Sequence, residues 1–450
     1  MQYKIPHNID PNKVFLVNFS ELEGRLEPEY YRPSIATLEK RIRAFSTHKL
    51  KDYILSINGG ATPSKTEPEK YYSNSENGIP FLRVQNLQTN GELLLDDCVY
   101  INEETHNGLL KRSQVSEGDL LVKITGVGRM AIASVAPKDF VGNTNQHMVV
   151  IKTVDVSQSK YLASYLNLDC IERIASRHAT GGTRPALDFP SLKNLPIIDN
   201  IDFSLIEIAI QAKKQKEREA KEILDSIDDY LLSELGIERP SPIRTENGRF
   251  FYTSFHNLMG SEWAPLCIKN NGRRSKSTLY KEVKLSTIAT ITKGQAITSK
   301  EIVSGNYPVI AGGQSSPYSH NQYNYKGNII TISASGAYSG YVWYHNYPIF
   351  ASDCSVILSN DENVYLTKYI YEILRLRQQE IYLLQKGAGQ PHVYPSDIAN
   401  LTIPAIPWEK QQEIVAYCQK LCNKAELLQK EGRNIICTAK ETIEQMIIGN

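Results

Sequence analysis

The 450-residue chain repeats itself. VFLVNFSELEGRLEPEYYRP near the start matches RFFYTSFHNLMGSEWAPL in the middle. Phe19, Leu22 and Gly24 correspond to Phe255, Leu258 and Gly260, an offset of 236. HKLKDYILSINGG then matches KEVKLSTIATITKGQ, pairing Leu50 with Leu285 and Gly59 with Gly294 at an offset of 235. ATGGTRPALDFPSLKNLPI matches QKGAGQPHVYPSDIANLTIP, pairing Pro185 with Pro391 and Asn194 with Asn400 at an offset of 206. The falling offset means that the second copy lacks about thirty residues, within the region matching 65–120. Three blocks in one order imply tandem copies and a fold with approximate internal two-fold symmetry.

Each copy begins strand-like, with short β-branched and aromatic runs punctuated by Gly, Asn and Pro. GDLLVKIT (118–125), AIASVA (131–136) and HMVVIKT (147–153) are the strand candidates of the first copy. NIITISA (328–334), GYVWYH (340–345) and CSVILS (354–359) are those of the second. Short helical stretches follow near 160–177 and 365–384. A long helix closes each copy. The first runs from about Phe203 to Leu235, with Asp202 as N-cap and Gly236 just past the end. The second runs from about Trp408, after Pro407, to Ile448.

The last helix carries a seam in steps of four and three, alternating as far as Ala439: Ile414, Cys418, Leu421, Ala425, Leu428, Gly432, Ile435, Ala439, Ile443 and Met446. Such a heptad pattern calls for a long facing helix. The first helix offers Ile206, Ile210, Lys213, Glu217, Ala220, Leu224, Ile227 and Leu231, with a polar centre. The expected fold is therefore α+β. Two β-rich α/β heads, 1–202 and 237–407, are separated by two long antiparallel coiled-coil helices, 203–236 and 408–450.

Composition narrows the function. Forty-one per cent apolar and 22% charged residues suit globular domains. No apolar run approaches the ~18 residues of a membrane span, and MQYKIPHNIDPNK lacks the apolar centre of a signal peptide. Seven scattered cysteines without a CxxC pair point to reduced thiols, no metal site and a cytoplasmic location. Residues 203–236 carry a net −3 and residues 408–447 a net of zero, which leaves +4 for the heads. That is mild basicity, too little to hold DNA through phosphates alone.

GGATPSK (59–65) followed by IPFLRVQNL (79–87), GDLLVKITG (118–126), GGTRPALDFPSLKNLPI (181–197) and IPAIPWEKQQEIV (403–415) stand in a fixed order, with a long helix after each head. In this the chain resembles the specificity subunit of type I restriction–modification systems over nearly its whole length. The resemblance implies two target recognition domains, each reading one half of a bipartite, asymmetric site in double-stranded DNA. It implies helices that set the spacing and dock two methyltransferase subunits, with restriction and motor subunits joining that core. S-adenosylmethionine is then expected in the methyltransferase subunits, and no cofactor in this chain. One departure is that NIDFSLIEIAIQ lacks the pair Gln411–Gln412 of the second copy, which bears on the equivalence of the two docking surfaces.

Readers of base edges need long polar side chains on loops, as in bidentate Arg–guanine and Asn/Gln–adenine pairs. The first head offers Lys65, Arg83, Gln85, Asn86, Lys123, Arg129, Asn145, Gln146, Arg177 and Arg184. The second offers Lys293, Gln295, Gln314, Ser315, Ser335, Tyr338, His345, Lys386, Gln390 and His392. Arg184 and Gln390 each precede the shared proline, and Lys293 and Gln295 flank the glycine matched to Gly59. GRRSKSTLYK (272–281) is a further candidate for backbone phosphate. GVGRMA (126–131) fits GxGxxA, but β-rich sequence follows where a dinucleotide fingerprint needs a helix. Neither head has an Asn/Asp-Pro-Pro-aromatic run, a Gly-rich cofactor loop or a Walker A motif. A non-catalytic DNA reader is expected. The alternative is a tandem β-rich protein- or sugar-binding module on a coiled-coil stalk.

Overall fold

The computed structural model describes residues 9–238, 275–387 and 389–449. The segment holding Phe255, Leu258 and Gly260, and the start of 272–281, lie outside the described residues. The chain divides into two units, one of residues 1–216 with 430–450 and one of residues 217–429. Each is taken by itself.

In the first unit α1 (Pro33–Phe45) leads to β1 (Ser56–Gly59) and β2 (Ile79–Leu82). β3 (Leu120–Lys123), β4 (Ala133–Val135), β5 (Val141–Thr144) and β6 (Met148–Lys152) follow, then α2 (Val156–Leu166) and α3 (Asp169–His178). The main sheet has the order β1-β6-β3-β4 and is antiparallel throughout. Its centre is apolar on both faces because alternate side chains enter different cores. Leu120, Val122, Val149 and Ile151 pack with Leu162, Leu166, Ile171 and Ile174 of the two helices. Leu121, Met148 and Val150 pack the other way, with Leu82 and Val115. A second sheet places β2 beside β5 in parallel, Phe81 opposite Asn143.

The second unit repeats this plan. β7 (Ala289–Lys293), β8 (Tyr307–Ile310), β9 (Ile329–Ser333), β10 (Val342–His345), β11 (Phe350–Ala351) and β12 (Cys354–Ser359) precede α4 (Thr367–Leu376). The main sheet runs β7-β12-β9-β10, again antiparallel. Ile330, Ile332 and Ile357 face α4, whereas Ile329, Cys354 and Val356 face the opposite core. β8 and β11 form the parallel pair, Val309 opposite Phe350. The copies differ where the offsets require it. Residues 60–119 join β1 to β3, but only 294–328 join β7 to β9.

Individual bonds confirm the repeat. The Leu50 amide donates to the Leu195 carbonyl at 2.9 Å, and Leu285 to Leu401 at 2.7 Å. The Tyr165 hydroxyl donates to the Pro196 carbonyl at 3.0 Å, and Tyr369 to Pro404 at 2.8 Å. One pairing needs correction. Gly294 donates to the Cys354 carbonyl from just beyond β7, and Gly60 does the same to Met148 from just beyond β1. Gly60, not Gly59, is therefore the counterpart of Gly294. The cause is local: Leu50–Tyr53 is a 3₁₀ turn and Leu285–Ile288 an α turn, and one residue of register is lost between them.

The first long helix spans Ser204–Leu235 and the second Trp408–Gly449. Asp202 accepts the Ser204 amide at 2.9 Å, and Gly236 ends the helix at φ +56°. Within each unit the helices pair antiparallel. In the first, Lys216 bonds Glu431 at 2.5 Å, and a Cβ on Gly432 would lie 3.2 Å from Lys213 Cγ. In the second, the Tyr230 and Tyr417 rings lie 4.1 Å apart and Lys410 bonds Glu234 at 2.6 Å. The seams differ in part from expectation. Glu217 and Leu224 are exposed, while Ala209 and Leu235, outside the expected seam, are buried. Met446 is 61% exposed and Ile447 takes its place. Ala439, Ile443 and Ile447 step by fours because these turns pack on the first unit's own core, where the helical period of 3.6 replaces the heptad. Gln411 is no docking residue either. It is fully buried and bonds the Leu366 amide and the Val364 and Ile406 carbonyls.

Candidate nucleic-acid interface

At one end of the first main sheet four connections converge. Gly60 sits so close to the chain at 144–145 that a Cβ would lie 2.2 Å from the Thr144 and Asn145 carbonyl oxygens. That contact sets Thr62 beside Gln146, to which its hydroxyl donates. β3 runs out into residues 126–131, where Gly126, Gly128 and Ala131 have φ of +121°, +82° and +53°. The Thr125 amide donates to His147, and the Gly126 amide to the Pro185 carbonyl at 3.0 Å. Ala186 bridges to both Thr125 and Thr180. Residues 60–62, 125–131, 144–147 and 180–186 thus share one rim. β4 follows the 126–131 loop, so GVGRMA is no nucleotide fingerprint.

The second unit builds the same rim from different residues. A Cβ on Gly294 would lie 2.1 Å from the Ser352 carbonyl oxygen. The Gly336 amide donates to the Pro391 carbonyl at 3.0 Å. His392 bridges to Ser335 and Lys386, and Gly312 lies against the Ser335 carbonyl.

The candidate readers separate into three groups. Arg184 and Gln146 stand exposed on the first rim, with Lys65 beyond it and Gln85 on the turn after β2. Lys293, Gln295, Gln314, Ser315, Tyr338 and Gln390 are exposed on the second. Six more are half-buried and already engaged or backbone-paired. Arg83 lies against Asp97 at 3.9 Å, Arg129 pairs with Asp169 at 2.5 Å, and Lys386 pairs with Asp397 at 3.1 Å. Ser335 bonds Asp353, and the His392 backbone pairs with Lys386. Arg177 donates to the Tyr30 carbonyl and to Glu39, both at 2.6 Å, with its guanidinium 4.3 Å over the Tyr30 ring.

Four candidates are interior, which corrects the sequence reading. Asn86 accepts the Arg83 amide and donates to the Leu94 carbonyl, each a turn-closing bond. Asn145 accepts the His147 amide at 3.1 Å. Lys123 is buried, which lowers its pKa, and its ammonium donates to the Val127 carbonyl at 2.8 Å. His345 is 0% exposed and burial pushes its pKa down to about 4, so it is a neutral core imidazole bonded to Thr331. Sequence reasoning also missed Val127, 78% exposed between two left-handed glycines at the tip of its loop. The G-V-G spacing was its signal, and an apolar tip can meet a thymine methyl group.

Exposed amides and one guanidinium on a backbone-braced rim suit bidentate reading of base edges. The family model described as the type I restriction modification DNA specificity domain matches the chain twice, over residues 44–198 and 278–435. Among solved structures, the S subunit of a type I restriction-modification system from M. genitalium is 14% identical. The match covers 89% of this chain and 94% of that one, at a TM-score of 0.41. The HsdS subunit from Thermoanaerobacter tengcongensis is 14% identical, over 89% of this chain and 96% of that one, at a TM-score of 0.32. A comparison with curated proteins finds no match.

Proposed function

The chain belongs to the type I restriction modification DNA specificity family, whose domain it carries in two copies, and from that premise we propose that each unit reads one part of a two-part DNA sequence through its rim. The observation that carries this reading is the repeated bond from Gly126 to Pro185 and from Gly336 to Pro391. It builds the same support in both units under different exposed side chains, Arg184 in one and Gln390 in the other. Like scaffolds with unlike readers suit an asymmetric target. The tandem protein- or sugar-binding alternative has no observation in its favour.

The chain acts without catalysis of its own in this reading. Its partners are two methyltransferase subunits, which bind S-adenosylmethionine, and restriction subunits that join them, all in the cytoplasm. The lack of an Asn/Asp-Pro-Pro-aromatic run in the sequence supports the division of labour. Among the described residues no helix is long and apolar enough to cross a membrane. The net charge of +1 supports weak DNA binding by the free chain, since affinity through phosphates scales with the charges neutralised. The test is methylome sequencing of a host carrying the cognate methyltransferase, with the chain intact and with residues 40–200 exchanged for another head. A change in one part of the methylated sequence is expected. A change in both parts together overturns the reading.

A further inference from the structure

The last turns of the second long helix belong to the first unit, and they hold the corner on which its 126–131 loop is mounted. That corner is Asn167–Glu172, the junction of α2 and α3. The anchors of Arg129 and Met130 end there, while the Ala131 amide returns to the Lys123 carbonyl of β3 at 3.1 Å. Arg129 pairs with Asp169 at 2.5 Å and donates to the Asn167 carbonyl at 3.2 Å. The Met130 amide donates to Glu172 at 3.2 Å. Asn167 exchanges two bonds with the Ala133 backbone, at 3.1 and 2.7 Å.

The corner itself is gripped from the long helix. α3 starts after Leu168, a residue whose side chain cannot cap it. Glu444 supplies the missing acceptor, its carboxylate receiving the Asp169 and Cys170 amides. One turn earlier, the Lys440 ammonium donates to the Asn167 carbonyl at 3.1 Å and to the Thr89 carbonyl at 2.8 Å. Lys440 and Arg129 therefore share one acceptor, the Asn167 carbonyl. Burial, with the Arg129 charge next in weight, pushes the Lys440 ammonium down to about 8. A cation in such a place is costly, and an apolar residue there would fill the space without reaching either carbonyl.

We propose that Lys440, with Glu444, is a positioning residue for DNA recognition by the first unit: it touches no base, but fixes the Asn167–Asp169 corner and through Arg129 the 126–131 loop. The inference rests on the rim being the DNA-reading surface, and adds that a residue from the end of the second repeat governs what the first unit reads.

The experiment uses the full chain. Lys440→Met keeps the alkyl stem and removes the donors, Lys440→Arg restores donors, and Glu444→Gln weakens the cap. In amide exchange of the free chain, Lys440→Met is expected to speed exchange of Arg129 and Met130 at least tenfold, with β3 and β6 unchanged and Lys440→Arg near wild type. This needs no DNA, and an unchanged loop overturns the inference even if the rim is a DNA reader. Each variant is then assembled with the methyltransferase subunits and assayed on duplexes carrying single base changes. A roughly tenfold loss of discrimination is expected in the half-site that exchange of the first head rewrites, and none in the other. Equal loss in both half-sites, or a mobile loop with discrimination intact, overturns it. Should head exchange rewrite neither half-site, the reading of the rim fails instead, which the exchange data keep separate from the positioning claim.

Discussion

Gly126 and Pro185 are joined by a 3.0 Å hydrogen bond from the amide of one to the carbonyl oxygen of the other, and Gly336 and Pro391 by one of the same length. In each unit this bond ties the loop after a central strand to the loop before a short helix. The residue preceding each proline, Arg184 or Gln390, is exposed. The backbone of the two rims is thus held in common while the side chains differ.

Arg184→Ala should weaken discrimination in one half of the target and Gln390→Ala in the other. Loss of a bidentate base contact costs about 1–3 kcal/mol of discrimination. Competition assays with single-base variants, run on the complex with methyltransferase subunits, check the assignment. Equal effects of each substitution on both halves would count against it.

Gly60→Ala and Gly294→Ala should each destabilise their own unit by about 1–3 kcal/mol, because the added methyl must displace packed backbone. The nearest atoms are carbonyl oxygens at 2.2 Å and 2.1 Å, so no side chain can swing aside. Gly59→Ala should cost less, since its nearest neighbour is the Phe189 ring at 3.5 Å. Denaturant unfolding of the three variants orders them.

The second unit should lose stability as the pH falls from about 6.5 toward 4. Burial depresses the His345 pKa to about 4, so the unfolded chain takes up the proton first. Stability from this group is complete above the ordinary histidine range and gone below about pH 4. His345→Leu should flatten the dependence over that window. Amide exchange of β9 and β10 across the pH series measures it.

Glu39 makes a still more acidic window informative for the first unit. Burial alone would raise its carboxyl, but bonds from His178, Arg177 and Arg43 hold it at about 2. Its contribution is present above the ordinary glutamate range and is lost as the pH falls toward 2. Glu39→Gln should cost about 3 kcal/mol near neutrality, since it leaves half-buried Arg177 without its counter-charge. The protection of α1 and α3 amides at pH 7 and pH 3 reports both effects.

What the amino-acid order determined by itself was periodicity and punctuation. Apolar runs bounded by Gly and Pro located the central strands, Asp202 and Gly236 bounded the first long helix, and the offsets between Leu50 and Leu285 and between Pro185 and Pro391 announced one fold built twice. These signals are local, or compare the chain with itself, and need no knowledge of what packs where. The tertiary structure alone decided which polar side chains remain available. Arg129 and Arg184 look alike in sequence, but Asp169, forty residues on, occupies the first, while the second stands exposed. The His345 and Lys123 side chains are buried, which keeps His345 neutral and spends the Lys123 ammonium on the Val127 carbonyl, so neither has the reach that suggested it as a reader. Partners distant in sequence settle such matters, and only the folded chain brings them within hydrogen-bonding distance.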